Sequence, residues 1–296
     1  MANPWGAAGW TLFGHLGLGL DSLAHWYYFV RLMELSGVGL FSGKRCTVRL
    51  SRRDGPSGFA LGPGGAQFLP FSEMLPEAAL LSTSVRAGAF VVRTVEHCFA
   101  AIAAHGVHEG LCLSPSDVEL PLLDGTAAPW SHALLELGIA ASPARCRVVR
   151  AFEVTDGPST YTFRPSGQTH VSCVLRTDDR RLAKEASWSG SANDFHERIA
   201  VARTFAFARD LDAYARLGAE VHLDPADVIV IGDEIYSYGR AFQPDEPVRH
   251  KLLDLMGDLF AHGGPPMGEI HAVAPGHART HAAIAIAKSK GVIVSS

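Results

Sequence analysis

Two short stretches hold residues able to do metal-assisted chemistry. Glu96 and His97 are neighbours in Thr94-Val95-Glu96-His97, and His250, Asp254 and Asp258 recur at four-residue spacing further along the chain. Read as a helix at about 100° per residue, 249–258 places His250, Lys251, Asp254 and Asp258 on one stripe. Leu252, Leu253, Leu255, Met256, Leu259 and Phe260 fill the opposite arc. An imidazole and a carboxylate one turn apart can reach one ion; taken alone, such a pair is equally the mark of a solvated helix face. A three-ligand site with an open position activates water, provided that a base stands beside the water and an acid beside the leaving group. His97, His250 and Asp254 are the candidate ligands, and Glu96, next to one of them, is the candidate base. His277, after Gly276 at an expected strand-to-helix turn, is the best spare imidazole for the acid. Asp258 can orient it, as an outer carboxylate commonly orients a histidine. Two imidazoles and a carboxylate suit zinc, with ferrous iron as the alternative.

These residues need elements to hold them. Phe90–Arg93 reads as a strand, and a helix is expected from Val95 to about His105, capped by Thr94 and closed by Gly106. His105 and His108, at its exit, read as surface or loop residues. Asp124-Gly125 reads as a turn before a helix from Trp130 to Leu137. In the second half, strands are expected at 161–163, 170–175, 228–231 and 269–273. Helices are expected near 195–201, over the His250 stretch, and from His281 to Lys288. The fold class is therefore α+β. A boundary near residue 145 divides 31–145, carrying Glu96 and His97, from 146–296, carrying Thr204, His250, Asp254 and His277.

Composition narrows the function classes. With 296 residues, 47% apolar and 19% charged, the chain fits a globular enzyme. A net charge of −4 argues against nucleic acid as a partner. Five scattered cysteines without a C-x-x-C pair indicate neither a thiolate metal site nor a disulfide framework, so a reducing compartment, the cytoplasm, is expected. The apolar run 8–30 lacks a preceding basic residue and is interrupted by His15, Asp21 and His25. It reads as an N-terminal extension of residues 1–30, of unassigned role, packed on the body or lying on a membrane surface, rather than a spanning helix.

The stretches SGVGLFSGK, TVEH, VELPLLDGTAAPW, ARTFAFARD, VRHKLLDLMGDLF and PGHA occur in this order from about residue 33 to the end. In that combination the chain resembles the zinc-dependent UDP-3-O-acyl-N-acetylglucosamine deacetylases of lipid A synthesis. The resemblance implies two related layered domains with the active site between them. It implies zinc on His97, His250 and Asp254, Glu96 as base and His277 as acid. It further implies that Thr204 helps hold the oxyanion, that Lys251 contacts the acylated UDP-amino-sugar, and that Phe205 and Phe207 lie near it. At most a peripheral contact with the inner membrane is expected. Two departures bear on substrate: Phe41 stands where the family usually has His, and 218–228 lacks the usual Gly-Gly-Ser segment. They leave a zinc deacetylase of another N-acyl amino sugar as the runner-up. A non-catalytic binding protein of the same fold is a third reading, opposed by the retained Glu96 and ligands.

Overall fold

Alternation in the sequence dictates the first sheet: in Arg45–Leu50 the side chains of Cys46, Val48 and Leu50 turn inward and are buried, while those between them face out or lie partly covered. The computed structural model describes residues 32–78, 81–216, 222 and 224–296; the 8–30 run and residues 218–221 and 223 of the 218–228 segment lie outside them. Strands β1 (Leu32–Val38), β2 (Arg45–Pro56), β3 (Gly58–Leu61) and β4 (Gln67–Pro70) form two antiparallel pairs. A small sheet of β5 (Leu75–Ala78), β6 (Thr83–Ala87) and β7 (Phe90–Arg93) follows, then helix α1 (Glu96–Ala104). Strand β8 (Glu109–Pro115) enters between the two earlier pairs, antiparallel to β2 and parallel to β3. Helix α2 (Ala128–Leu137) ends the half at Gly138, whose left-handed backbone (φ 60°) favours glycine.

The second half repeats this plan. After β9 (Cys146–Val148) come β10 (Phe152–Asp156), β11 (Ser159–Arg164), β12 (Thr169–Val174) and β13 (Glu185–Trp188). A short helix α3 (Ala192–Asp194) runs into a π-helical turn over Phe195–Ile199, where one regular helix is expected from the sequence. A second small sheet follows, made of β14 (Thr204–Phe207), then across helix α4 (Ala208–Arg216) to β15 (Val228–Ile231) and β16 (Ile235–Tyr236). Helix α5 (Glu246–Ala261) precedes β17 (Gly268–Val273), which enters antiparallel to β11 and parallel to β12. Helix α6 (His277–Ser289) and β18 (Ile293–Ser295), paired with β9, close the chain. The sheet orders, β1-β2-β8-β3-β4 and β10-β11-β17-β12-β13, are the same topology twice, so α1 and α5 are equivalent helices. Sheets packed against helices in each half give the α+β class expected, and residues 31–296 form one compact unit.

The core sits around α1 and α5, which pack on each other. Every residue of α1 is buried. Phe99 of α1 meets Phe59 of β3 at 6.1 Å and Phe260 of α5 at 5.0 Å between ring centroids. At the other end of the contact Gly257 lets the backbones touch: a Cβ there would lie 2.1 Å from the Glu96 carbonyl oxygen. Three residues of the polar stripe of α5 are buried like its apolar arc, with His250 3%, Asp254 6% and Asp258 1% exposed, and Lys251 is partly buried. That removes the solvated-face alternative.

Three expectations are corrected. Thr94 is no cap: its backbone is left-handed (φ 57°), Val95 occupies the N-cap position, and the Thr94 hydroxyl points to Glu119 at 3.4 Å. The last helix starts at His277, four residues before His281, because Gly276 is extended and ends the strand connection there. His108 is buried and stacks on Phe260 at 5.4 Å. All five cysteines are free thiols.

Gly257→Ala is expected to destabilise the fold by about 1–3 kcal/mol, since the methyl group meets backbone that cannot step aside. Denaturant unfolding measures this; an unchanged midpoint would contradict the close contact of α1 and α5.

Candidate metal and acid–base site

The start of α1 and the middle of α5 bring three ligating groups together. His97, His250 and Asp254 each offer a donor atom within 4.8 Å of the others, and all three are buried. Asp254 Oδ1 lies 3.5 Å from His250 Nε2 and 3.9 Å from His97 Nε2. Its other oxygen is taken by Lys251 Nζ at 2.7 Å. His250 Nδ1 donates to the Ala202 carbonyl at 3.1 Å, which leaves Nε2 with its lone pair facing the group. Ala202 is itself held in place: the buried Arg203 donates from its backbone and its guanidinium to Glu246, with Nε to Oε1 at 2.8 Å and Nη2 to Oε2 at 3.1 Å.

The electrostatics suit an ion. Burial, reinforced by the neighbouring His250, lowers His97 to about 3, so its imidazole is neutral at pH 7. Burial likewise lowers His250. Burial works against the Asp254 anion, but Lys251 and the imidazoles outweigh it and hold the carboxyl far below its usual range. Neutral nitrogens and an ionised oxygen are the protonation states that a divalent cation requires. The donor set, with at most three protein ligands, leaves room for water, as a catalytic rather than a structural site does.

Acid and base groups flank it. Glu96, 4% exposed, accepts a hydrogen bond from the Thr83 backbone at 2.9 Å. Burial raises its carboxyl to about 7 against the pull of His277. His277 Nδ1 donates to Asp258 at 2.9 and 3.0 Å. Burial opposes its charge, yet the Asp258 carboxylate prevails and raises His277 to about 9. A left-handed residue, Ala274 (φ 50°), makes the sharp turn that delivers Gly276 and His277 into the cleft.

The remaining sequence candidates lie close by on β14. Phe205 presents its edge to His250 at 6.1 Å, and Phe207 packs at 5.6 Å on Phe205. Thr204 opens the strand, its amide donating to the Gly125 carbonyl at 2.9 Å. Its side chain makes no hydrogen bond with the site group among the described residues. Asp124 serves the turn, accepting from Thr126 N at 3.1 Å and Thr126 Oγ1 at 2.7 Å. Sequence reasoning missed Glu119, which accepts the amides of Phe41 and Ser42 at 2.8 Å each and so fixes the loop carrying Phe41. It also missed Thr83, Arg203, Glu246 and His281. Glu119 alone left a trace, as a carboxylate among apolar residues in Val118–Leu122.

A buried His-His-Asp group with a carboxylate and an imidazolium beside it, on a duplicated α+β frame, defines a metal-dependent hydrolase. The chain matches the family model of LpxC, UDP-3-O-acyl N-acetylglycosamine deacetylase, over residues 29–287, and it belongs to that family. Among its relatives are proteins named UDP-3-O-acyl-N-acetylglucosamine deacetylase. The one from Anaeromyxobacter sp. (strain Fw109-5) is 34% identical, the match covering 85% of this chain and 84% of the relative. The one from Psychrobacter cryohalolentis is 32% identical, covering 83% and 80%. That from Neisseria meningitidis serogroup C (strain FAM18) is 28% identical, covering 84% and 85%. The chain is therefore a deacetylase, a hydrolase of an amide bond. No helix among the described residues is long and apolar enough to cross a membrane.

His250→Ala should abolish stoichiometric metal retention while leaving the far-ultraviolet circular dichroism of the fold intact. Elemental analysis after gel filtration checks it; full occupancy in the variant would remove His250 from the ligand set.

Proposed function

We propose that this protein hydrolyses the acetamide of UDP-3-O-acyl-N-acetylglucosamine, releasing acetate, as a step of lipid A biosynthesis in the cytoplasm. The observation that carries this reading is the convergence of Glu96 and His277 on the His97–His250–Asp254 group in a chain of this family. We assign the metal as zinc, held by those three residues; when bound it supplies Lewis acidity to the attacking water and the amide oxygen.

The protein's own groups divide the proton work. Glu96 takes the proton of the attacking water, and its burial gives the carboxylate an affinity for that proton near neutral pH. His277 enters as the imidazolium and gives its Nε2 proton to the departing nitrogen. Asp258 holds Nδ1, so only Nε2 is left to act. Thr204 is assigned to the oxyanion, where a well-placed donor is worth a few kcal/mol of barrier. Lys251 fixes Asp254 and, at the cleft margin, meets the substrate, while Phe205 and Phe207 line its path. The division of the chain near residue 145 is supported by the repeated sheet order on its two sides.

One feature favours a second substrate. Phe41 replaces a polar contact at the site mouth, and Glu119 binds only the backbone of its loop. A related N-acyl amino sugar is the alternative. Incubation of the zinc-loaded protein with the acylated UDP-sugar and, separately, with unacylated or non-nucleotide amino sugars decides between them. Acetate release from the first alone supports the assignment, and release only from the others shifts it. Glu96→Gln should retain the metal and lose about 10²–10⁴-fold in kcat on whichever substrate is used.

The pH profile has a stated sign. His277 is active as the charged acid, and its proton affinity is raised, so activity persists until the pH passes about 9 and then falls. Asp258→Asn removes the charge that holds that proton, moving the basic limb of kcat/KM to lower pH by about one unit or more. A limb that stayed in place would show that another group sets it.

A further inference from the structure

Behind His277 lies a chain of hydrogen bonds that the reaction as described does not use. Thr83 Oγ1 is 2.5 Å from Asp258 Oδ1, 3.0 Å from His281 Nε2 and 3.3 Å from His277 Nδ1. His281 Nδ1 is in turn 2.9 Å from His262 Nε2, and the two rings face each other at 5.0 Å. Asp258 and Thr83 are fully buried from solvent, His281 is 7% exposed, and Lys288 ties down the His262 carbonyl at 2.6 Å.

With Asp258 ionised and the buried His281 neutral, proton counting fixes the direction of every bond. Asp258 is ionised and can only accept, so the single hydroxyl proton of Thr83 goes to it. Thr83 Oγ1 is then an acceptor towards His281, which must carry its proton on Nε2. His281 Nδ1 is left with a lone pair, so His262 must donate from its own Nε2. Each donor points inward, towards the carboxylate that holds His277.

We infer that His281, oriented by His262, is a positioning residue for the acid: by donating to Thr83 Oγ1 it keeps His277 Nδ1 on Asp258. The competing acceptor is at hand, since Thr83 Oγ1 is only a few tenths of an ångström farther from His277 Nδ1 than the Asp258 oxygens are. Occupying one of the two Thr83 lone pairs with the His281 proton, and drawing the oxygen towards His281, weakens that competition. The inference rests on His277 being the acid only for its kinetic consequence; the tautomers follow from the distances together with a neutral His281 and an ionised Asp258.

The groups that bear on these titrations are few. His281 faces Asp258 of α5, His277 of its own helix and, on its other nitrogen, His262. His277 faces Asp258 and Asp254 of α5 and Glu96 of α1, with His97 and His250 beyond. Lys288 and Asp258 face His262.

The test has two arms on the zinc-loaded, full-length protein. Nitrogen-15 NMR of labelled histidine at pH 7.5 should find His262 and His281 neutral, each with its proton on Nε2; a proton on Nδ1, or a cationic ring, in either would overturn the chain. In the kinetic arm, His281→Leu should move the basic limb of kcat/KM to lower pH, a loss of about twofold at pH 9 that approaches about threefold at higher pH for a half-unit shift. His281→Gln, whose amide can reach the same oxygen, should restore it. His262→Leu should move the limb in the same direction in the natural chain and not at all when His281 is already Leu. An unmoved limb in His281→Leu, or an effect of His262→Leu that survives the loss of His281, rejects the positioning role. If the protein proves inactive on every amino sugar tried, the NMR arm still decides the hydrogen-bond chain. If His281→Leu does not fold, His281→Gln and the tautomers carry the test.

Discussion

The close approach of α1 and α5 is the constraint from which the site follows. Glu96 begins α1, and its carbonyl oxygen sits where a side chain on residue 257 would otherwise be. Without that approach His97 could not share a ligand position with His250 and Asp254, nor could Glu96 stand beside them. The aromatic packing of Phe99 on Phe260, about one turn away on each helix, helps fix the crossing and supplies apolar burial that holds it. The glycine contact and the interlocked ring pair together set the distance between the three residues that could hold a metal ion.

Such a site holds charge in a largely buried place. An unpaired buried carboxylate is costly, and every one here is answered by a specific partner. Asp254 has Lys251, Asp258 has His277 and Thr83, and Glu246 has Arg203. Glu96, with a single backbone donor, is the least compensated of them. Its raised proton affinity is the consequence. The same burial therefore leaves Asp254 an anion suited to a cation and Glu96 a carboxylate suited to accepting a proton, because their neighbours differ.

How far this could be read from the chain depended on distance along it. The α5 stripe and the Glu96-His97 pair were legible because helical periodicity is local, and the resemblance joined them across more than a hundred residues. Thr83, Arg203, His262 and His281 left no signal, since their roles exist only through partners far away in sequence. Thr94 misled for a physical reason: a threonine before a helix is usually a cap, but here the strand-to-helix turn requires a left-handed residue and spends the hydroxyl on Glu119. The strand-to-helix turn at Gly276 was legible, but the helix begins directly after it, at His277, because the extended Gly276 is the N-cap position.

The repeated topology explains why one turn has two uses. Leu123 and Ala274, both left-handed, each lie between the inserted strand of their half and the helix that follows it. In the second half the turn delivers His277 to the cleft. In the first it leads to Gly125, whose carbonyl accepts the amide of Thr204 and so anchors the start of β14 next to Ala202, the acceptor of His250. The two left-handed turns therefore serve different ends: one aims a side chain, and the other ties the second half's small sheet to the first half. Duplication supplied the frame, and the division of labour between the copies made it a site.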